Sequence, residues 1–243
     1  MPTVDNRGVQ IRYEVHGRGE PLVLIHGWSC EGRYWEELGF VSNMSDRFQV
    51  IIPDLRGHGE SGLPGDRDFS DYAFASDVIA VMDDLGIDSA HIFGYSLGGW
   101  VAFELMSEFP QRVRSGIVGG AHPYEEDLSA LREFSTAEIG ESWEALGAPL
   151  SEGSKKRLAA MDPGVLVDCA PDRVDKAQRL DELKMPCLMV SGTEDWRFED
   201  MRRFSQGNSA CEFVALEGLD HLTTWMGHET LLPPVLGFLA KSR

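Results

Sequence analysis

The chain has 243 residues, with 40 acidic and 22 basic side chains and a formal net charge of -18. This length suits one large domain or a core with an insertion, and the 42% hydrophobic content predicts a buried core rather than disorder. Because phosphate recognition needs clustered Lys and Arg, the charge argues against a nucleic-acid partner, and more weakly against an anionic membrane surface. We interpret the acidity as a well-solvated surface.

The cysteines are widely separated, and no Cys-x-x-Cys pair or Cys/His cluster accompanies Cys30, Cys169, Cys187 or Cys211. This spacing predicts neither a metal site nor a disulfide framework. The first residues contain no apolar signal region, and no apolar run approaches the roughly 18 residues of a membrane-spanning helix. We therefore expect a cytoplasmic protein without membrane insertion, as a monomer or a homodimer.

Short apolar segments alternate with helical patterns along the chain. Apolar or alternating runs predict β-strands at residues 9–15, 21–25, 48–52, 90–93, 113–118, 187–190 and 211–216. Apolar residues at helical spacing predict helices at residues 71–85, 101–109 and 197–204. Wholly apolar strands that alternate with helices are typical of a parallel sheet buried on both faces. We predict an α/β fold with a mostly parallel central sheet of about eight strands.

One region interrupts this alternation. Residues 121–183 show no strand pattern and contain polar, helix-like segments with Pro and Gly breaks. That is too long for an ordinary connection. We predict a helical cap at 121–183, inserted into a core of residues 1–120 and 184–243, over the strand ends where open α/β sheets bind ligands. The alternative is a helical excursion with only a packing role.

The segment Gly94-Tyr95-Ser96-Leu97-Gly98 fits the pattern G-x-S-x-G. Alone the pattern is common, but here it directly follows an apolar strand and opens a helix. A sharp strand-to-helix turn needs small neighbours, which Gly94 and Gly98 supply. The turn would present the Ser96 hydroxyl at a helix N-terminus, where the helix dipole favours negative charge. The sequence therefore predicts a nucleophilic Ser96; the alternative is a glycine-rich turn with a capping serine.

A serine hydroxyl needs a base to become a nucleophile. Of the seven histidines, His221 follows the last predicted strand and should lie at the same edge of the sheet as Ser96. We predict His221 as the base, with His122 as the second candidate. The base needs an orienting acid, and Asp195 directly follows the neighbouring strand. Glu194 and Asp220 are its nearby competitors.

An oxyanion hole requires two backbone N–H groups aimed at the developing alkoxide. One should belong to Leu97, the residue after the nucleophile. The other should come from the loop after the strand at 21–25, where His26-Gly27-Trp28 makes Trp28 the candidate. The Trp28 side chain either forms a pocket wall or packs in the core.

Taken together, these segments resemble the α/β-hydrolase fold family. The matching pieces are His26-Gly27-Trp28, Asp54-Leu55-Arg56-Gly57-His58-Gly59-Glu60-Ser61, Gly94-Tyr95-Ser96-Leu97-Gly98-Gly99, Gly192-Thr193-Glu194-Asp195 and Gly218-Leu219-Asp220-His221. The resemblance implies the family's order of nucleophile, acid and base for Ser96, Asp195 and His221. It assigns a structural turn, without catalytic role, to the segment that begins at Asp54. It covers the chain except for the insertion, which would be the variable cap.

The resemblance also narrows the activity. Serine at position 96 argues against the family's haloalkane dehalogenases and epoxide hydrolases, which use aspartate there. Trp100 stands where the menaquinone-pathway lyases usually carry arginine, which argues against that activity. Small esterases, enol-lactonases, cofactor-free perhydrolases and C–C hydrolases of the meta-cleavage type remain, because all share these catalytic residues.

The resulting hypothesis is a serine hydrolase that cleaves a small-molecule carboxylic ester or lactone through an acyl-enzyme, with no cofactor. The alternatives are a C–C bond hydrolase and a ligand receptor that keeps the triad but turns over slowly. Six side chains near the predicted strand ends or in the cap are candidates for the substrate pocket. They are Trp28, Tyr95, Phe134, Trp143, Leu146 and Trp225, with Leu150 and Met226 as further candidates.

Overall fold

A central β-sheet organises the protein in this computed structural model, which describes residues 1–181 and 183–242. Glu182, in the predicted cap, and Arg243, in the predicted core, lie outside the described residues. The described chain contains eight strands, all in one sheet. They are β1 (Thr3–Asn6), β2 (Val9–His16), β3 (Glu20–Ile25), β4 (Phe48–Pro53), β5 (Ala90–Tyr95), β6 (Val113–Gly119), β7 (Cys187–Gly192) and β8 (Cys211–Leu216).

The strand order is β1-β2-β4-β3-β5-β6-β7-β8. β2 runs antiparallel to β1 and β4, whereas every pair from β4 to β8 is parallel. The chain leaves β3 toward β4 on one side and later returns to β5 on the other side, so the strand order reverses at β3. Ligands bind outside the carboxyl ends of strands at such a reversal. The predicted α/β fold with a mostly parallel sheet is confirmed.

The central strands are buried on both faces, which explains why they read as wholly apolar runs. In β3, Leu22 and Leu24 pack into the hydrophobic cluster on one face. Val23 and Ile25 pack into the cluster on the other face. Because successive side chains of a strand point to opposite faces, one apolar run supplies both layers of the core.

Helices cover both faces of this sheet. In the described chain they are α1 (Arg33–Glu37), α2 (Phe40–Met44), α3 (Asp71–Asp84), α4 (Leu97–Glu108), α5 (Thr136–Ala145), α6 (Glu152–Ala159), α7 (Pro163–Asp168), α8 (Phe198–Gly207), α9 (His221–Met226) and α10 (His228–Lys241). The buried side chains of α3, α4 and α8 join the cluster of one face, and those of α1, α2 and α10 join the other. Across residues 1–181 and 183–242, none of the helices has both the length and the apolar character to cross a bilayer.

The insertion predicted at 121–183 contains α5, α6 and α7, with short 3-10 helices at Ser129–Glu133 and Ala177–Leu180. Polar contacts tie it to the loop that follows β3. The Arg157 guanidinium donates to Glu31 at 2.6 Å, and Trp28 Nε1 donates to the Leu166 carbonyl at 2.9 Å. The division of the chain into a core and a cap at these bounds stays a prediction.

Several short elements of the structure were not predicted from the sequence. β1 has four residues and alternates between exposed and half-buried positions, so it carries too little apolar signal to read as a strand. α1 and α2 have five residues each and no capping side chain. The helix predicted at 101–109 begins earlier, at Leu97, because the turn at Ser96 leads directly into it.

Candidate active site

Ser96 occupies a sharp turn between β5 and α4. Its backbone has φ 55° and ψ -117°, a conformation that L-residues other than glycine rarely adopt. The Ser96 N–H donates to the Gly119 carbonyl at 2.8 Å, and the Ser96 carbonyl accepts from the Gly99 N–H at 2.8 Å. These two bonds hold the strained residue in place, and such strain is concentrated at functional sites.

Two glycines make this turn possible because the backbone approaches itself closely there. A Cβ atom at Gly94 would lie 1.9 Å from the Gly98 carbonyl oxygen. A Cβ atom at Gly98 would lie 2.1 Å from the carbonyl oxygen of Ile25, the last residue of β3. Any larger side chain would therefore force β3, β5 and α4 apart, which accounts for the glycines of the G-x-S-x-G pattern.

His221 is the first residue of α9, which begins in the loop after β8. The side chain of Asp220 accepts hydrogen bonds from the N–H groups of Leu222 and Thr223, at 3.0 and 2.8 Å, and so caps this helix. Asp220, one competitor for the role of acid, therefore turns toward the helix end. Gly120 makes room for the imidazole, since a Cβ atom there would lie 2.7 Å from His221 Cε1.

Ser96, His221 and Asp195 form a continuous chain of hydrogen bonds, here called the relay. His221 Nε2 lies 3.0 Å from Ser96 Oγ, and His221 Nδ1 lies 2.8 Å from Asp195 Oδ2. An ionised carboxylate can only accept hydrogen bonds, so Nδ1 carries the ring proton. Nε2 is then the acceptor for the Ser96 hydroxyl. The structure brings together the three side chains that the sequence pattern placed at neighbouring strand ends.

The environment of Asp195 favours its charged form. Burial by itself would raise the pKa of this carboxyl group, but hydrogen bonding to His221 and to the Arg197 N–H lowers it below its ordinary value. The side chain of Asp195 is fully buried, whereas Glu194, the other competitor, is exposed. Asp195 is thus the acid that contacts the imidazole.

Two backbone N–H groups beside Ser96 lack an acceptor. Neither the N–H of Trp28 nor that of Leu97 donates to another atom in the part of the chain that the structure describes. The loop that carries Trp28 approaches Ser96 closely, because a Cβ atom at Gly27 would lie 3.4 Å from Ser96 Cβ. The next residue, Ser29, has a positive φ of 62°. Both N–H groups are therefore available to an oxygen of a bound substrate.

His26 connects the Trp28 loop to the loop after β4. Its Nδ1 lies 2.8 Å from the Gly27 carbonyl oxygen, and its Nε2 accepts from the Leu55 N–H at 3.0 Å. One ring nitrogen must donate and the other must accept, so this geometry requires a neutral imidazole. The His58 ring centroid lies 5.2 Å from that of His26. Both rings support the loop and lie away from the relay.

These two buried rings predict that stability falls in mild acid. Burial lowers the pKa of His26 to about 3 and that of His58 to about 4, from an ordinary value of 6.5. Below pH 6.5 the unfolded chain therefore binds protons that the folded chain does not. We expect the free energy of unfolding to fall by up to about 2.7 kcal/mol per pH unit between pH 6 and pH 4.5. Urea unfolding at a series of pH values measures this slope.

A His58→Phe variant provides the control for that slope. It removes one of these groups and should lower the slope by up to about 1.4 kcal/mol per pH unit. A slope below about 0.5 kcal/mol per pH unit in the unsubstituted protein would contradict the assignment of both rings as neutral in the folded state.

A cavity of about 210 Å³ opens at Ser96 and His221. Five of the six predicted pocket residues line it: Trp28, Tyr95, Phe134, Trp143 and Trp225. The Trp225 ring packs against two other lining rings, since its centroid lies 5.5 Å from that of Tyr95 and 5.8 Å from that of Trp143. The Trp28 side chain both lines the cavity and contacts α7 through Leu166. The lining is dominated by apolar and aromatic groups.

Leu146 is a correction to the sequence-based prediction. It follows the last residue of α5, it is 37% exposed, and it lies outside the cavity lining. Leu150 is buried, but it lines a separate cavity of about 230 Å³ between α5 and α6. Met226 is partly buried and packs against the hydrophobic cluster that includes Trp225. The sequence does not show how each cap helix is rotated about its axis, so it could not show which of their apolar residues face Ser96.

Trp196 and Arg197 are site residues that the sequence reading missed. The Trp196 ring centroid lies 4.5 Å from that of His221, and its side chain is 62% exposed at the cavity. Glu126 accepts hydrogen bonds from Trp196 Nε1 at 3.2 Å and from Arg197 Nε at 2.7 Å. Trp196 and Arg197 are the two residues after Asp195. Their place next to the predicted acid was the one sequence feature that could have indicated that they lie at the site.

His122, the second candidate for the base, lies elsewhere. It is buried beside Asp200, with Nε2 3.7 Å from the Asp200 carboxylate, and its ring packs 6.2 Å from that of Trp100. Burial lowers the pKa of His122 despite the neighbouring carboxylates. It makes no contact with Ser96 among the contacts of the described residues, and so it cannot act as the base in this arrangement.

A possible metal-ligating group lies on β2 and α1. Glu14, His16 and Glu36 bring potential ligand atoms within 4.8 Å of one another. Glu14 already accepts from Arg33 at 3.2 Å and contacts Arg12, so its charge is balanced by cations of the protein. The prediction that the protein uses no metal remains a prediction.

The sheet order and the serine–histidine–aspartate arrangement define the class of protein. A family model described as the alpha/beta hydrolase fold matches residues 20–144. The chain belongs to this family, which confirms the resemblance drawn from its motifs.

The relatives include an esterase. The chain is 35% identical over 115 residues to the pimeloyl-[acyl-carrier protein] methyl ester esterase of Aeromonas hydrophila, a match that covers 47% of this chain and 43% of that protein. The chain thus spans less than half the length of this curated relative.

Solved structures match over nearly the whole chain. A hydrolase from Pseudomonas aeruginosa PA01 is similar with a TM-score of 0.84, at 20% identity, over 98% of this chain and 97% of the other, a likeness that concerns the fold. Est816, described as an N-acyl homoserine lactone degrading enzyme, is 28% identical with a TM-score of 0.75, over 98% of this chain and all of the other.

Proposed function

We propose that this protein is a serine hydrolase that cleaves a carboxylic ester or a lactone. The observation that carries the proposal is the relay from Ser96 through His221 to the buried Asp195, with distances of 3.0 and 2.8 Å. A hydroxyl next to an oriented base is the arrangement that nucleophilic catalysis requires. The esterase among the relatives and the lactone-degrading enzyme among the similar structures favour this substrate class.

In the proposed reaction, Ser96 Oγ attacks the carbonyl carbon while His221 Nε2 takes its proton. The resulting imidazolium is stabilised by the Asp195 carboxylate, which also fixes the ring tautomer. The free N–H groups of Trp28 and Leu97 are available to the oxyanion of the tetrahedral intermediate. His221 then gives the proton to the leaving alcohol, and an acyl-enzyme forms.

The second half of the reaction repeats these roles with water. His221 takes a proton from a water molecule that attacks the acyl carbon, and Ser96 leaves with the proton that His221 returns. For a lactone the leaving alcohol stays attached to the acyl group, so water releases an open hydroxy acid. The chemistry requires neither a metal nor an organic cofactor.

The cavity supports a small, largely apolar substrate. Its volume of about 210 Å³ is below the roughly 300–1,000 Å³ of typical ligand sites. Bulky groups close it on the side of α5, where Ile139 and Trp143 are buried and line it. We therefore place the acyl group of the substrate among short chains, of about two to six carbons.

A chain-length series tests this specificity. With p-nitrophenyl esters we expect kcat/KM to peak at short acyl chains and to fall for octanoate and longer chains. Ile139→Ala should enlarge the cavity and raise the octanoate-to-butyrate ratio of kcat/KM by about tenfold, because one or two methylenes are worth about that much in an apolar pocket.

Leu146→Ala is the matched control, because it truncates an apolar side chain that lies outside the lining. It should leave the ratio unchanged. A preference for long chains in the unsubstituted protein, or equal shifts in the two variants, would contradict the assignment of this cavity to the substrate. The same assays with lactones and with ring-cleavage diketones compare the ester, lactone and C–C hydrolase hypotheses.

A further inference from the structure

The Trp28 loop, residues 26–32 between β3 and α1, carries one of the two free N–H groups at the nucleophile. A turn closes this loop, since the Cys30 N–H donates to the Gly27 carbonyl at 3.3 Å, and Ser29 within the turn has a positive φ of 62°. An N–H group stabilises an oxyanion well only when its direction is fixed before the charge develops. The contacts that hold the loop therefore bear on catalysis.

The core holds the two ends of the Trp28 loop. The Gly32 N–H donates to Asp54 Oδ1 at 2.8 Å, and the His26 ring accepts from the Leu55 N–H at 3.0 Å. Both partners belong to the loop after β4. These bonds fix the first and the last residue of the Trp28 loop.

The helices α6 and α7 hold residues between those ends. Arg157 of α6 donates from Nε to Glu31 Oε2 and from Nη2 to Glu31 Oε1, both at 2.6 Å. Ser154 Oγ, also on α6, lies 2.7 Å from Glu31 Oε1. On the other side of the turn, Trp28 Nε1 donates to the Leu166 carbonyl of α7 at 2.9 Å. The loop is thus held from the core and from the insertion at once.

The pair of Glu31 and Arg157 is the strongest of these ties. Two parallel bonds between a guanidinium and a carboxylate fix direction as well as distance. Burial by itself would raise the pKa of the Glu31 carboxyl group, but the hydrogen bonds from Arg157 and Ser154 lower it. Glu31 is only 4% exposed, so loss of Arg157 would leave a buried charge without its main partner. The loop would then shift to bring this charge to water.

Neither member of the pair lines the cavity at Ser96. With Ser154 they line a separate cavity of about 10 Å³, which is too small for a substrate. Any effect of Glu31 or Arg157 on the reaction therefore acts through the backbone of the Trp28 loop and not through contact with the substrate.

We propose that Glu31 and Arg157 are positioning residues, whose ion pair between the Trp28 loop and α6 holds the Trp28 N–H in the direction that the oxyanion requires. The proposal rests on the proposed hydrolase function and adds a role for α6 in it. This helix then does more than pack on the core, because its displacement would misalign one of the two oxyanion donors.

Paired oxo and thiono esters test this role. p-Nitrophenyl butyrate and its thiono analogue differ only in the atom that becomes the anion, and sulfur is a weaker hydrogen-bond acceptor than oxygen. We expect Arg157→Gln to lower kcat on the oxo ester about 10- to 100-fold, which is less than for complete removal of an oxyanion donor. The oxo-to-thiono ratio of kcat/KM should fall at least about threefold. A smaller folded fraction would lower both rates equally and leave this ratio unchanged.

Two further measurements separate positioning from substrate binding. KM should change less than about threefold, because interactions made only in the transition state do not contribute to ground-state binding. The inhibition constant of a trifluoromethyl ketone should rise about 10- to 100-fold, as kcat falls. Ser96 Oγ adds to the carbonyl carbon of this inhibitor, the serine proton passes to His221, and the carbonyl oxygen becomes the oxyanion.

Substitutions at both members of the pair make the test specific. Glu31→Gln should lower the oxo-to-thiono ratio as Arg157→Gln does, and the double variant should lower it no further, because the two side chains act as one unit. Arg157→Lys should give an intermediate ratio, since lysine keeps the charge but not the two parallel bonds.

Arg67→Gln is the matched control. Arg67 also ties the core to the insertion, since it donates to Asp168 of α7 at 2.5 Å and to Asp162 at 3.1 Å. Among the contacts of the described residues it touches no part of the Trp28 loop. It should leave both the ratio and the inhibition constant unchanged.

Several results would overturn the positioning role. An unchanged ratio and an unchanged inhibition constant in Arg157→Gln and Glu31→Gln, with Ser96-dependent hydrolysis intact, would show that the ion pair only stabilises the fold. Equal shifts in Arg67→Gln would assign the effect to a general loosening of the insertion. Absence of any Ser96-dependent hydrolysis would show instead that the proposed function is wrong, and the positioning role would fall with it.

Discussion

Replacement of Asp195 with asparagine is expected to lower kcat for ester hydrolysis by about 10⁴-fold while the protein stays folded. The carboxylate accepts the Nδ1 proton of His221 at 2.8 Å and thereby leaves Nε2 free to accept from Ser96. An asparagine at this position could donate its amide to Nδ1 instead. The imidazole would then hold its proton on Nε2, where it cannot serve as a base. Steady-state kinetics on p-nitrophenyl butyrate measures the loss.

Glu194→Gln is the matched control for Asp195→Asn. It makes the same change from carboxylate to amide at the adjacent residue, which is exposed. We expect an effect on kcat below about threefold, as for surface charges away from the chemistry. Equal losses in the two variants, or an Asp195→Asn variant with more than a tenth of the original kcat, would contradict the orienting role of Asp195.

Ser96→Ala is expected to cost still more, on the order of 10⁵- to 10⁶-fold in kcat. The residual rate would come from the N–H groups of Trp28 and Leu97 and from substrate binding, which do not depend on the hydroxyl. Active-site residues that act as a unit are not additive. The double variant Ser96→Ala/His221→Ala should therefore be about as slow as Ser96→Ala alone.

Ser142→Ala is the comparison for Ser96→Ala. The Ser142 hydroxyl also lies at the cavity, but it donates to the Glu138 carbonyl at 2.9 Å and contacts no base. We expect it to change kcat/KM by less than about tenfold, as for a hydroxyl that donates only to backbone. Multiplicative losses in the double variant of Ser96 and His221 would contradict the relay, because they would mean that the two residues act independently.

The sequence predicted the relay because of where its residues stand relative to the strands. Ser96, Asp195 and His221 each follow an apolar run, and the carboxyl ends of parallel strands lie at one edge of a sheet. Three residues spread over 125 positions of the chain could therefore be placed together without coordinates. The glycines around Ser96 added a second, independent signal, since a strained turn excludes side chains.

The cap could not be predicted in the same detail. The apolar residues of α5 and α6 are few, so their pattern does not show which side of each helix faces Ser96. Leu146 was assigned to the pocket from composition alone, and it proved to be exposed beyond the end of α5. Ile139, which was not among the predicted pocket residues, lines the cavity.

The polar part of the site depends on three-dimensional contacts that no sequence motif encodes. The approach of the Trp196 ring to that of His221, with centroids 4.5 Å apart, follows from the path of the loop after Asp195, not from its residue types. Such features become visible only when burial and hydrogen-bond partners are counted atom by atom.

Covalent labelling of Ser96 tests the central claim, that Ser96 is an activated nucleophile, most directly. A fluorophosphonate probe reacts with serines that a neighbouring base activates, and peptide mass spectrometry locates the adduct. We predict one adduct per chain, on the peptide that contains Ser96, with no labelling of Ser96→Ala and much slower labelling of Asp195→Asn. An unlabelled Ser96 in folded protein, or an adduct on Ser29 or another serine instead, would contradict the account.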